Sequence, residues 1–263
     1  IHQRITRKKI PIVAWLFNVG ICYSGLRRWL AQASLKNVDY FVMHSRRECE
    51  IYSKWLGLPK ERFIFVPYQS TDIPITYEEN KTQPFLVAVG SAHRDFPTLF
   101  SAVEKLNLPT VVASGQRALA GLTIPSQVQA PFGIGRQECL RLSQQARINV
   151  IPLLPNELVT AAGQVTIVEA MRMGRAVIAS RCNGAEDYII HGETGLLVEP
   201  KSVDDLVHAI DLLWKDDDLR LRIGQAAKQY ASEHFSDEAA GRNLGKILDG
   251  LADVYEGKHL LHK

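Results

Sequence analysis

The run Phe85-Leu86-Val87-Ala88-Val89-Gly90 is apolar at every position up to its glycine. A half-solvated strand alternates apolar with polar residues. Five apolar residues in succession predict instead a central parallel strand covered on both faces. Outward from it, a helical stretch runs from about Phe96 to Leu106, and a second strand, Thr110-Val111-Val112-Ala113, ends in Ser114-Gly115. Further strands are predicted at 148–153, 176–179 and 195–198, with helical stretches near Gln137 to Gln145 and Thr166 to Met173. Strands alternating with helices imply a parallel α/β sheet whose ligands bind outside the carboxyl ends of the strands. That rule singles out Gly90-Ser91, Ser114-Gly115 and the loop after Leu154.

Upstream, the apolar stretch from Ile10 to Phe17 reads as a strand, followed by a helix around Leu26 to Ser34. Next come the strand Tyr40-Phe41-Val42-Met43, a helix from about Arg46 to Leu56, and the strand Phe63-Ile64-Phe65-Val66, ended by Pro67. The segment Thr71 to Pro84, with Pro74, Pro84 and the acidic pair Glu78-Glu79, has the composition of a linker. Downstream the chain turns helical. Ser202 with Asp205 forms a capping arrangement before Leu206, Ile210 and Leu213. Ser236 caps a last helix that carries Asp237 and Glu238 in its first turn.

Composition excludes several classes. A formal charge of +3 is too weak to argue for nucleic acid. No apolar run approaches the roughly 20 residues that cross a bilayer, and the start shows no secretory core. Cys22, Cys49, Cys139 and Cys182 are far apart, so they read as reduced, packed thiols of a cytoplasmic protein. Asp216-Asp217-Asp218 begins a helical stretch, where acidic residues are favoured without any metal. His259 and His262 fall in a frayed tail. Arg4, Arg7, Lys8 and Lys9, with Arg27-Arg28 and Arg46-Arg47, suit either a solvated surface or peripheral contact with an anionic membrane.

The chemistry concentrates in Ala161-Ala162-Gly163-Gln164-Val165-Thr166-Ile167-Val168-Glu169-Ala170-Met171-Arg172-Met173-Gly174. A small flexible stretch leads directly into a helix, whose first-turn amides lack intrahelical partners and carry partial positive charge. Gly163 lets a ligand approach the backbone, so a diphosphate can sit at the amides near Val165 and Thr166. Thr166, Glu169 and Arg172 share one face, which puts a carboxylate one turn in, in reach of ribose hydroxyls. Periodicity alone also allows Glu169 to pair with Arg172 on a solvated face, with Gly163 only a turn.

Glu169-Ala170-Met171 with Gly174, then Ala176-Val177-Ile178-Ala179-Ser180, Asn183-Gly184-Ala185-Glu186-Asp187 and His191-Gly192-Glu193-Thr194-Gly195-Leu196-Leu197-Val198, resembles the donor domain of the family-four retaining glycosyltransferases. The resemblance implies an α/β, GT-B-like fold: a complete Rossmann-like donor domain beside a partial N-terminal Rossmann-like domain. The expected divisions are 1–80, a partial acceptor-side domain and linker lacking its opening strands; 81–235, the nucleotide-sugar donor domain; and 236–263, a helix returning onto the N-terminal part, plus tail. It further implies a nucleotide-diphosphate-sugar donor as co-substrate, no cofactor and no essential metal, retention of anomeric configuration, and a glycan, lipid or small-molecule acceptor.

Carried over residue by residue, Glu169 matches the glutamate that contacts the nucleotide ribose, while Val165 and Thr166 match the positions whose amides hold the diphosphate. The family's other glutamate, which contacts the donor sugar, should stand at Ala161 and is missing; Asn156, Glu157 or Gln164 are the nearby hydrogen-bonding replacements. The family's basic pair after the first strand is reduced to Arg94, in the loop Gly90-Ser91-Ala92-His93-Arg94-Asp95. Its guanidinium suits phosphate oxygens or a surface pair with Asp95. Ser114-Gly115 borders the base or diphosphate, or is a simple turn; Phe132-Gly133-Ile134 shapes a base pocket, or packs. Glu186 lines the cleft or caps the following turn. The absent first glutamate admits an alternative, a non-catalytic sugar-nucleotide-binding protein. A dinucleotide oxidoreductase is disfavoured, because no G-x-G-x-x-G follows the first donor-domain strand.

Overall fold

The computed structural model describes residues 10–156 and 161–260, with side chains up to residue 253. Arg4, Arg7, Lys8, Lys9, Glu157, His262 and the His259 side chain lie outside the described residues. Two parallel sheets organise the chain. The smaller has the order β1 (Val13–Ala14), β2 (Tyr40–Met43), β3 (Phe63–Phe65), with α1 (Gly25–Leu35) and α2 (Arg46–Leu56) as its crossovers. The larger is built from β4 (Leu86–Val89), β5 (Thr110–Ala113), β6 (Val128–Gln129), β7 (Ile148–Ile151), β8 (Val177–Ser180) and β9 (Leu196–Val198). Its order is β6-β5-β4-β7-β8-β9, all parallel. That is the doubly wound arrangement, with chain order reversing between β4 and β7.

The remaining helices are α3 (Phe96–Leu106), α4 (Gln116–Leu119), α5 (Arg136–Gln145), α6 (Gln164–Arg172), α7 (Val203–Lys215), α8 (Asp217–His234) and α9 (Asp237–Leu260). One face of the larger sheet presents Leu86, Ala88, Val112, Val150 and Ile178 to Leu99 and Val103 of α3 and to Leu206, Ile210 and Leu213 of α7. On the other face Val87 and Ala113 pack with Leu142 of α5, while Ile151, Val177 and Ala179 pack with Ile167 and Met171 of α6 and Ala227 of α8. Both neighbours in the Val87-Ala88 pair are therefore buried, which is why β4 is continuously apolar. Each fully buried Leu or Ile contributes roughly 1.5–3 kcal/mol relative to exposure.

Three local expectations need correction. Of the apolar stretch 10–17 only Val13–Ala14 pairs, because Leu16 turns the chain through a φ of 59°. The stretch 71–84 forms no helix or strand, but it is pinned rather than free. Gln144 Oε1 accepts from the amides of Thr76 and Tyr77, and Glu79 is buried against two arginines. The edge strand β6 and the one-turn α4 were not predicted; two paired residues leave no periodic signal. The capping expectations hold: Ser202 Oγ accepts from Asp205 N and Ser236 Oγ from Ala239 N; Asp216 Oδ1, accepting from Leu219 N, is a further cap. Asp217 pairs with Arg147 and Arg220, a structural use of the acidic run.

The two sheets are tied together. Ile247 and Leu251 of α9 pack with Val42 and Val66 of the smaller sheet. Asp187, beyond β8, accepts from the amide of Arg46 at the start of α2 (2.8 Å). Tyr188 Oη donates to His44 O and accepts from Tyr68 N.

Candidate functional site

The site lies at the carboxyl ends of β4 and β7, where the sheet order reverses. Its centre is Gly163, which has φ 90° and precedes α6 as its N-cap. A β-carbon there would stand 3.2 Å from Ile151 Cγ2 and from both Leu153 methyls, so only glycine fits against the end of β7. Gly163 has no side chain to cap α6, and the first intrahelical bond is Ile167 N to Gly163 O. The amides of Gln164, Val165 and Thr166 therefore have no carbonyl one turn back to donate to. Val165 is exposed at this mouth.

Arg94 lies beneath the helix start. It is only 9% exposed, and its guanidinium donates to Val89 O, Ala92 O and Thr166 Oγ1, the last at 2.8 Å. Thr166 Oγ1 in turn donates to Gly163 O at 3.1 Å. Among the described residues Arg94 has no carboxylate within ion-pair distance; Asp95 instead caps α3 through Thr98. Burial alone pushes the Arg94 pKa down to about 10. The charge is thus held by dipoles only, in low dielectric, where an anion would be strongly attracted. The alternative reading, a surface pair with Asp95, is not what the described residues form. Carbonyls fix the side chain in place. The same packing explains Gly90, which has φ 101° and whose added β-carbon would meet Arg94 Nη2 at 2.6 Å.

Ser91, Ser114 and Gly115 converge. Ser91 Oγ accepts from Gly115 N at 2.7 Å and lies 3.0 Å from Ser114 Oγ, tying the ends of β4 and β5. Gln164 departs from expectation. Its side chain is buried and donates to Asn183 O at 2.7 Å, so it offers the site only its backbone amide. Ala161 is half-buried and carries no polar group. Asn156 uses its carbonyl to accept from Arg47 Nη2. Phe132 is exposed, Gly133 has φ 72°, Ile134 packs on the core around Leu142, and Glu186 is exposed.

Glu169 sits one turn into α6, but its partner is not Arg172. Arg136, opening α5, donates to Glu169 Oε1 at 2.6 Å, with side-chain exposures of 65% and 13%. Arg172 turns away, buried, to pair with Asp72. Tyr68 is the other neighbour that sequence reasoning missed: burial, and then the nearby Glu169 carboxylate, push its phenol pKa up. No spacing rule links 68, 136 and 169; only the tertiary fold does.

Two parallel Rossmann-like sheets joined by a returning C-terminal helix, with an open helix start at the switch point, define a GT-B-like α/β protein. Residues 115–230, which span β6 to β9 and α6, match the family Glycosyl transferases group 1. Over 114 residues the chain is 31% identical to the N,N'-diacetylbacillosaminyl-diphospho-undecaprenol alpha-1,3-N-acetylgalactosaminyltransferase of Campylobacter jejuni, covering 43% of this chain and 29% of that one. Over 171 residues it is 30% identical to the D-inositol 3-phosphate glycosyltransferase of Corynebacterium glutamicum, covering 59% and 38%. The chain thus spans less than two fifths of the length of these curated relatives. The solved sucrose-phosphate synthase of Thermosynechococcus elongatus superposes with a TM-score of 0.73 at 19% identity, over 96% of this chain and 71% of that one, a likeness of fold.

Proposed function

We propose that the chain is the donor-binding part of a retaining glycosyltransferase that takes its sugar from a nucleoside diphosphate. The observation that carries this reading is the buried Arg94 cation, unbalanced by any carboxylate of the described residues, bonded to Thr166 at the open start of α6. In this reading the amides of Val165 and Thr166 receive the diphosphate. Arg94 supplies the opposing charge from below, and Glu169 accepts from the ribose hydroxyls. The chemical task is to stabilise the departing diphosphate as the glycosidic bond breaks. Fixed dipoles do this without reorganising, so they favour the transition state over the ground state. Gly90, Ser91, Ser114, Gly115 and Gly163 shape the backbone around that group, and no metal or cofactor is required.

The test is calorimetric titration of the whole chain with UDP, GDP and ADP, beside Glu169→Gln and Arg94→Ala. At least one nucleotide should bind, with an affinity loss of about 10-fold or more in each variant, the scale of one charge-assisted hydrogen bond. Unchanged affinity in both variants sinks the site. Ala161, at the place of the sugar-contacting glutamate, favours a second reading, a protein that binds a sugar nucleotide without turning it over. Donor binding without transfer or hydrolysis in the full-length protein would select that reading.

A further inference from the structure

A cavity of about 440 Å³ lies between the two sheets and shares no lining residue with the donor segment. Three bodies build its wall: Arg46 and Phe65 from the smaller sheet's side, Asp187 and His234 from the larger's, and Arg242 and Lys246 from α9. Its carboxylates are already engaged. Asp187 Oδ2 accepts from the Arg46 amide, and its Oδ1 lies 3.5 Å from Arg46 Nε. Glu233, also on the rim, accepts from Gln229 Nε2 at 3.1 Å. Arg242 and Lys246 are exposed one turn apart on α9, and neither pairs with a carboxylate of the described residues; Arg242 donates to the backbone carbonyl of Glu233. Opposite them the Arg46 guanidinium lies over the Phe65 ring at 4.7 Å, which fixes its position.

Cations therefore converge from two separate elements onto one polar hollow, and two of them form no ion pair among the described residues, with Glu233 on the rim and Glu238 near Arg242 as the neighbouring carboxylates. We propose that this cavity binds a small phosphate dianion, either inorganic phosphate or the monoester of a sugar-sized molecule. A dianion accepts from Arg242, Lys246 and Arg46 together. Because Arg46 opens α2 while the others sit on α9 beyond the larger sheet, the bound anion clamps the two sheets in this arrangement. The proposal is independent of the donor site.

The experiment titrates the whole chain by calorimetry with inorganic phosphate and, separately, with glycerol 3-phosphate. The same titrations are run on the Arg242→Gln/Lys246→Gln double variant and on Glu169→Gln. Both exposed substitutions should leave thermal unfolding in phosphate-free buffer unchanged. The wild type should show a saturable component that weakens at least about tenfold in the double variant and persists in Glu169→Gln. A stronger response to glycerol 3-phosphate assigns the site to monoesters, and an equal one to the phosphate group alone. Identical isotherms for wild type and double variant overturn the proposal, as does a wild type without a saturable component. A failed donor site would instead show only in the Glu169→Gln nucleotide titration.

Discussion

At the level of single residues, the polar groups that matter are those whose partners the fold withholds. His44 is one. Its Nδ1 donates to Val66 O at 2.7 Å, which leaves Nε2 as the acceptor nitrogen of a neutral ring, and Nε2 is buried without a partner among the described residues. Burial lowers its pKa below the ordinary 6.5, outweighing the opposing Val66 bond. The folded state therefore binds its proton less readily than the unfolded chain does. This contribution to stability is fully present above about pH 6.5 and is lost as the pH falls through the folded-state value. Denaturant midpoints measured from about pH 7.5 down to about pH 5 should fall for the wild type and fall less steeply for His44→Gln. Parallel curves would remove His44 from the account. Sequence could not reach this residue, because nothing in Met43-His44-Ser45 records that Val66 and Tyr68 close over the ring. The same limit separated Glu169, legible from helix spacing, from Arg136, which meets it only through the fold. Arg94 was legible as a cation near the site, whereas its burial under Thr166 was not.

At the level of elements, legibility followed burial on both faces. β4, β7 and β8 could be read because their residues are almost all buried, whereas β1 and β6 pair through two residues each and lack that signature. How elements dock across the two sheets was not legible, and Gly184 shows why. It has φ 86°, and a β-carbon there would meet Ser45 Oγ at 2.6 Å, so the turn after β8 abuts the cap of α2. Gly192 has a similar φ of 83° with nothing within 4 Å. Replacing either by alanine incurs the left-handed backbone penalty of about 1–2 kcal/mol. Gly184→Ala should cost a further ~1–3 kcal/mol for overpacking against a buried neighbour. Paired urea titrations of the two variants isolate that difference, and equal losses would show that the turn does not rest on α2.

For the molecule as a whole, the segment read as a linker ties the chain together. Glu79 is 7% exposed, and its two oxygens meet Arg147 Nη1 at 2.9 Å and Arg220 Nη2 at 3.0 Å. Arg220, on α8, is 4% exposed, while Arg147 stands before β7 and also pairs with Asp217. One carboxylate in the stretch joining the two sheets thus fastens that stretch to a central strand and to the helix leading into α9. Acidic composition suggested a solvated connector because it reports charge and not what the charge faces. An intact buried network adds little net stability after desolvation, but removing Glu79 leaves the buried Arg147 and Arg220 with only the exposed Asp217 to share as counter-charge. Glu79→Ala should therefore destabilise the protein by up to about 3–5 kcal/mol, far more than loss of an exposed, solvent-screened pair such as Lys105–Asp204. If the segment were a passive tether, Glu79→Ala and Asp204→Ala would shift the unfolding midpoint equally. A larger loss for Glu79→Ala than for Asp204→Ala places the junction of the two sheets inside the cooperative fold, where opening the cleft must work against it.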